Sequence, residues 1–85
     1  MPIKEIETGK ATARELDVKG LHCPLPILRT RALLDRMAEG EELIVYATDP
    51  ASVIDFKHFC NTTDHKLLDH EIRGEVFVYR IRRGT

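Results

Sequence analysis

Two prolines at positions 24 and 26, directly after a cysteine at position 23, constrain the fold of this chain more than any other feature. Proline lacks a backbone N–H and breaks a helix interior, but the first four N–H groups of a helix have no intrahelical acceptor. The first helical turn therefore tolerates proline. The spacing predicts a helix that begins at Pro24, with Pro26 in its first turn and Cys23 at the N-cap.

This position predicts the chemistry of the Cys23 thiol. Free N–H groups and the aligned peptide dipoles put about half a positive charge at a helix N-terminus, which favours an anion. Cysteines at such ends have pKa values of roughly 3.5–7.5, and the thiolate is the reactive form. We therefore predict an exposed, rigidly held Cys23 that is partly ionised at neutral pH, although Pro24 and Pro26 each remove one N–H donor.

The composition limits the classes of function. With 85 residues, of which 42% are apolar, the chain is long enough for one small domain without a deep cofactor cavity. A net charge of -1 argues against a broad nucleic-acid footprint or a polybasic membrane anchor. The sequence has neither an apolar run near ~18 residues nor a signal-peptide pattern, so a cytoplasmic protein is expected. Two cysteines in such a chain are predicted to be free thiols, without a disulfide, metal or cofactor.

The hydrophobic periodicity predicts a flexible leader over residues 1–12 and a single domain over residues 13–85. Turn and capping signals divide the domain into strands at 14–18, 43–48, 66–72 and 75–82 and helices at 24–39 and 49–61. The order βαβαββ predicts an α/β (α+β) two-layer sandwich, with a mixed four-stranded sheet and two helices on one face. In the last strand, alternation directs Phe77, Tyr79 and Ile81 toward the helices, and Val78, Arg80 and Arg82 away.

The first predicted helix has two faces. A core arc is expected to contain Ile27, Thr30, Leu33, Leu34, Met37 and Ala38. Leu25 and Leu28 instead fall among charged residues, flanked by Arg29 and Arg36, and we interpret these four residues as a partner-docking patch beside the thiol. The alternative is that the two leucines are ordinary exposed apolar residues or lie under a loop.

Residues 16–26, with the sequence LDVKGLHCPLP, resemble the TusA/SirA-type sulfur-carrier family, which is defined by a Cys-Pro-x-Pro motif. Asp49-Pro50-Ala51, followed by Asp55 and Phe59-Cys60, supports the resemblance, which covers residues 16–83. It implies that Cys23 accepts sulfane sulfur as a persulfide from a cysteine desulfurase or rhodanese-type donor. A DsrE-type or other acceptor protein thiol would then receive the sulfur, for tRNA thiolation, molybdenum-cofactor assembly or sulfur oxidation.

Other residues near the thiol have plainer interpretations. Asp17 is expected to cap the turn at Lys19-Gly20 through its side chain, so that Asp17 and Gly20 help to position the helix start. His22 could assist proton transfer or simply be a surface histidine. Cys60 is expected to be a buried small apolar residue, with a resolving thiol as the alternative. The spacing of the histidines and cysteines does not favour a zinc site.

Two other functional classes stay open. The first is a thiol redox protein that pairs Cys23 with Cys60, which requires the two sulfur atoms to be close. The second is a non-catalytic interaction or RNA-binding regulatory module, although the sequence lacks stacking aromatic residues on an exposed strand and a basic excess.

Overall fold

The structure, a computed structural model of the chain, describes residues 13–85. The predicted leader at 1–12 lies outside the described residues. Six elements follow in the predicted order βαβαββ: β1 (Arg14–Val18), α1 (Leu25–Leu34), β2 (Glu42–Ala47), α2 (Ser52–Thr62), β3 (Lys66–Arg73) and β4 (Val76–Arg82).

The four strands form one mixed sheet in the order β1-β2-β4-β3. β1 and β2 are parallel because α1 carries the chain back across the sheet between them, whereas β4 is antiparallel to both of its neighbours. α1 packs on β1 and β2, and α2 packs on β3, β4 and α1. The predicted two-layer sandwich is therefore confirmed. Neither helix of residues 13–85 has the length and apolar character needed to cross a bilayer.

Side-chain alternation in the two central strands builds the core. Leu43, Val45 and Ala47 of β2 are fully buried, whereas the residues between them are half-exposed. Tyr79 and Ile81 of β4 are buried in the same core, with Phe77 packed against it, as predicted. On the other face of β4, Val78 points away from the helices as expected. It is nevertheless only 7% exposed, since it lies between Tyr46 of β2 and Glu71 of β3.

α1 is shorter than the predicted helix at 24–39. It ends at Leu34, and hydrogen bonds of the tighter i to i−3 type, from Arg36 N–H to Leu33 and from Met37 N–H to Leu34, continue the chain as turns. These turns still bring Met37 into the core but leave Ala38 exposed, contrary to the prediction. Gly40 lies beyond the end of α1, and its φ of +88° allows the turn into β2.

α2 begins later than the Asp49-Pro50 signal predicts. Its N-cap is Ala51, and the Asp49 side chain accepts the Ala51 N–H at 3.1 Å in a turn ahead of the helix. One face of α2 is apolar: Phe56 and Phe59 are buried, and Val53 and Cys60 pack partly against the core. The β3–β4 turn lies at Gly74-Glu75, one residue beyond the predicted position.

An aromatic contact fastens the first turn of α2 to the sheet. The Phe56 ring stacks on Tyr79 of β4, with centroids 4.3 Å apart and planes inclined by 11°. The Tyr79 hydroxyl lies 2.6 Å from Ser52 Oγ, and both groups are buried, so each satisfies the other. The start of α2 is thereby held in place by apolar packing and by a buried hydrogen bond.

Candidate functional site

Cys23 lies exposed between β1 and α1, one residue before the N-cap of α1. The N-cap is Pro24, not Cys23 as predicted, and Pro26 occupies the first helical turn, where it is fully buried. A hydrogen bond of 2.8 Å from Leu25 N–H to the His22 carbonyl closes a turn around the cysteine. The double-proline segment therefore opens a helix, with the sulfur just outside its first turn.

Two hydrogen bonds tie the loop that carries Cys23 to the loop that follows β2. Cys23 N–H donates to Asp49 Oδ2 at 2.7 Å, and Gly20 N–H donates to Thr48 Oγ1 at 2.8 Å. The loops meet because β1 and β2 are parallel, so their carboxyl ends share one edge of the sheet. Asp17 Oδ1 accepts the Lys19 N–H at 2.9 Å in the turn before the cysteine.

The charge around the thiol is opposite to the predicted one. The pKa of Cys23 is raised, first by a hydrogen bond from the thiol to the Asp55 carboxylate, then by desolvation and by the negative charges of Asp55 and Asp49. The predicted partial ionisation of Cys23 at neutral pH is therefore wrong. The helix end provides little compensation, because Pro24 and Pro26 have no N–H and the Leu25 N–H is already donated to a carbonyl.

A groove of about 420 Å³ runs from the thiol between the two helices. Its α1 side and its α2 side both contribute apolar and charged groups, and its lining includes Cys23, Ile27, Leu28, Arg31, Ile54, Asp55, His58 and Phe59. The Arg31 guanidinium lies over the Phe59 ring, 5.6 Å from its centroid. The groove therefore offers a partner both apolar surface and hydrogen-bonding groups next to the sulfur.

The four residues of the predicted docking patch do not all lie in this groove. Leu28 lines it and is 53% exposed, whereas Leu25, at 43% exposure, lies on the turn beside the cysteine. Arg29 is exposed on α1, and Arg36 lies beyond the end of the helix. Sequence reasoning missed Ile54, which is 73% exposed on the opposite wall. The sequence signal that could have indicated this residue is an apolar side chain on the polar side of α2, next to Asp55.

The second cysteine belongs to a different environment. Cys60 is half-buried on α2, and burial raises its pKa to about 11. It lines a separate surface groove with Lys57 and His65, away from the groove that contains Cys23. Both cysteines are free thiols. Across residues 13–85, no three His, Cys, Asp or Glu side chains are grouped so as to hold a metal ion.

The raised pKa of Cys23 predicts how the free protein reacts with an alkylating agent. Because the thiolate is the nucleophile, the rate of iodoacetamide alkylation should keep rising with pH beyond about 8.5, the ordinary value for a cysteine. The measurement uses a Cys60→Ser variant, so that Cys23 is the thiol followed by intact mass. A rate that levels off by pH 7.5 would mean that the pKa of Cys23 is lowered, as a positively charged helix end would lower it. That result would contradict the effect of the two carboxylates, Asp49 and Asp55.

The sequence of this chain is similar to those of known proteins. Residues 14–83 match the family described as sulfurtransferase TusA. Over 71 residues, the chain is 44% identical to the sulfur carrier protein TusA of Allochromatium vinosum, a match that covers 84% of this chain and 93% of that protein. The matched region contains all six elements and the loop that carries Cys23.

Proposed function

We propose, given that this chain belongs to the TusA family of sulfur carriers, that Cys23 carries sulfur as a persulfide and passes it to a thiol of another protein. The observation that supports this most directly is the exposed sulfur of Cys23, on a loop held by the 2.7 Å hydrogen bond to Asp49 and open to a groove between the helices. A carrier requires a sulfur atom that is fixed in place and accessible to a partner.

The proposed relay needs two exchange steps of the same kind. Cys23 attacks the outer sulfur of a donor persulfide, the donor S–S bond breaks, and the donor sulfur leaves with the electron pair. An acceptor thiolate then attacks the outer sulfur of the Cys23 persulfide, and the Cys23 sulfur leaves in turn. Each step forms one S–S bond and breaks one, so no external oxidant or reductant is required.

The placement of the two cysteines favours this relay over a two-cysteine redox cycle. A disulfide requires Cβ atoms about 3.5–4.5 Å apart, whereas Cys23 and Cys60 line separate grooves. Cys60 is half-buried and its pKa is raised, so it is a poor resolving nucleophile. One exposed sulfur suits a carrier, which needs no second thiol of its own.

The proposed partners are a cysteine desulfurase or rhodanese-type donor and a DsrE-type or other thiol acceptor protein, which the carrier would meet in the cytoplasm. Transfer would serve tRNA thiolation, molybdenum-cofactor assembly or sulfur oxidation. These partners would contact the exposed apolar residues beside the thiol, Leu25 and Leu28, with Arg29 and Arg36 at the margin. Pro24, Pro26, Asp17 and Gly20 would hold the loop in position for that contact.

The direct test is intact-mass measurement after incubation with a cysteine desulfurase and cysteine. The expected result is a mass increase of one sulfur atom, located on Cys23 by peptide mapping and removed by reduction. Several donors of both proposed classes should be tried, because a carrier can be specific for one of them. Failure of all competent donors to load Cys23 would overturn the carrier assignment.

Replacement of Leu28 by aspartate is expected to weaken transfer from a protein donor without unfolding the domain. Leu28 is 53% exposed, so its loss from the core is small, but a charge in the groove should oppose apolar contact with the donor. We expect a KM for the donor about tenfold higher, which corresponds to about 1.4 kcal/mol of binding free energy.

Ile72→Asp is the matched control for this substitution. Ile72 is 63% exposed on β3, outside the groove, so the same change of apolar residue to aspartate should leave the KM unaltered. Equal transfer kinetics for Leu28→Asp and Ile72→Asp would count against docking at the groove.

A further inference from the structure

The carboxylate of Asp55 lies in the same groove as the Cys23 thiol and accepts a hydrogen bond from it. Asp55 lies in the first turn of α2 and lines the same groove as Cys23. We propose that Asp55 is a catalytic residue that carries the proton to and from the Cys23 sulfur during each transfer. This inference rests on the proposed function and adds to it a proton acceptor that the relay otherwise lacks.

Three contacts hold the part of α2 that carries Asp55. Asp55 N–H donates to the Ala51 carbonyl at 3.1 Å, which places the residue on the regular part of the helix. The same turn of α2 is fixed to the sheet by the buried Ser52–Tyr79 hydrogen bond and by the stacked ring of Phe56. The cysteine is held from the other side by Asp49, which accepts its N–H at 2.7 Å.

Asp49 and Asp55 differ in what their carboxylates do. Asp49 uses both oxygens as acceptors of backbone N–H groups, from Cys23 and from Ala51, and these hydrogen bonds are the main reasons that its pKa is lowered. It is thus committed to holding the loop. The Asp55 carboxylate, within residues 13–85, takes part in no salt bridge and accepts no backbone N–H, so it is available to the thiol.

The charged and titratable groups around the sulfur come from four segments. His22 precedes it on its own loop, Asp49 lies on the loop after β2, Arg31 lies on α1, and Asp55 and His58 lie on α2. The acidic pair dominates at the thiol, where Asp55 and then Asp49 oppose ionisation. A carboxylate that disfavours a free thiolate assists the reaction only if it takes the proton as the sulfur attacks.

The proton then follows the sulfur in both directions. During loading, the Cys23 S–H proton moves to Asp55 while Sγ attacks the outer sulfur of the donor persulfide, and the proton passes on to the departing donor sulfur. During discharge, the acceptor S–H proton moves to Asp55 while that sulfur attacks the outer sulfur of Cys23. The breaking S–S bond leaves its electron pair on Sγ, which receives the proton. Asp55 ends each transfer as the carboxylate with which it began.

The resting carrier benefits from the same arrangement. Thiolates are the forms of cysteine that hydrogen peroxide and other oxidants attack. Because Asp55 keeps the thiol protonated until a partner sulfur arrives, an exposed Cys23 is less open to oxidation between transfers. The Cys23 sulfur therefore becomes a nucleophile when a donor or acceptor sulfur lies next to it and the proton can move to Asp55.

Asp55→Asn separates this role from a structural one, because it should change two rates in opposite directions. Removal of the negative charge should make iodoacetamide alkylation of Cys23 at pH 7.5 roughly threefold faster or more. Discharge of the Cys23 persulfide to glutathione, followed by intact mass, should become roughly tenfold slower or more, since the proton carrier is lost. Asp55→Glu should restore discharge in part, and Asp69→Asn, an exposed change on β3, should alter neither rate.

The persulfide for this test is prepared chemically with polysulfide, so the result does not depend on a protein donor. Failure of every donor to load the wild-type protein would overturn the proposed carrier function, yet the two rates of Asp55→Asn could still be measured. Thermal unfolding shows whether each variant is folded, and Asp55→Glu is the second variant if asparagine is not tolerated. Wild-type discharge by a folded Asp55→Asn protein, or unchanged alkylation, would overturn the assignment of Asp55.

Discussion

Replacement of Cys23 by serine is expected to abolish sulfur loading altogether and to leave the fold intact. A serine hydroxyl cannot form a persulfide, and the other free thiol, Cys60, is half-buried in a separate groove. Cys23 is exposed, its backbone N–H keeps the hydrogen bond to Asp49, and a serine hydroxyl can still donate to Asp55, so the free energy of unfolding should change by no more than about 0.5 kcal/mol. Intact mass after incubation with a cysteine desulfurase and cysteine measures the loading, and thermal unfolding measures the stability.

Cys60→Ser is the matched control, because it makes the same chemical change at the other free thiol. It should load sulfur as the wild type does, with some loss of stability because Cys60 packs partly against the core. The pair also separates the other functional classes. A two-cysteine redox protein would lose function in both variants, and a binding module would keep it in both. Sulfur loading that survives in Cys23→Ser would overturn the assignment of the carrier sulfur.

The fold could be predicted from the sequence because local signals and the hydrophobic pattern agree. Alternation in β4 directed Tyr79 and Ile81 to the core, and the double proline indicated where α1 begins. The helix ends were less predictable. Turns of the i to i−3 type keep Met37 buried beyond Leu34. In the sequence, the apolar residue at position 37 therefore has the same periodicity as one more turn of the helix would give.

The site was only partly predictable, because its charge depends on residues distant along the chain. The exposed position of Cys23 follows from the prolines that come after it. The direction of its pKa does not, since Asp49 and Asp55 reach the sulfur only through the pairing of parallel β1 and β2. A helix N-terminus acts within its first turn, and nearby carboxylates can outweigh it. Sequence reasoning could have anticipated Asp49, because it directly follows a strand parallel to the one before Cys23.

Phe56→Ala is expected to lower the free energy of unfolding by about 3–5 kcal/mol, the largest stability effect we predict. Phe56 is fully buried between α2 and the sheet, and its ring stacks on Tyr79 at 4.3 Å. The loss is a large fraction of the roughly 5–15 kcal/mol that stabilises a typical domain. Urea unfolding followed by circular dichroism gives the free energy, and a fall in sulfur loading should track the unfolded fraction.

Two milder variants show which part of this contact holds the start of α2. Phe56→Leu keeps most of the buried volume and should cost less than the alanine change. Tyr79→Phe keeps the stacked ring but leaves the buried Ser52 hydroxyl without its partner, which should cost about 1–3 kcal/mol. If the first turn of α2 positions Asp55, folded Tyr79→Phe protein should also discharge its persulfide more slowly, although the changed hydroxyl lies in the core. Loss of stability with an unchanged discharge rate would mean that this anchor serves the fold and has no part in placing the carboxylate.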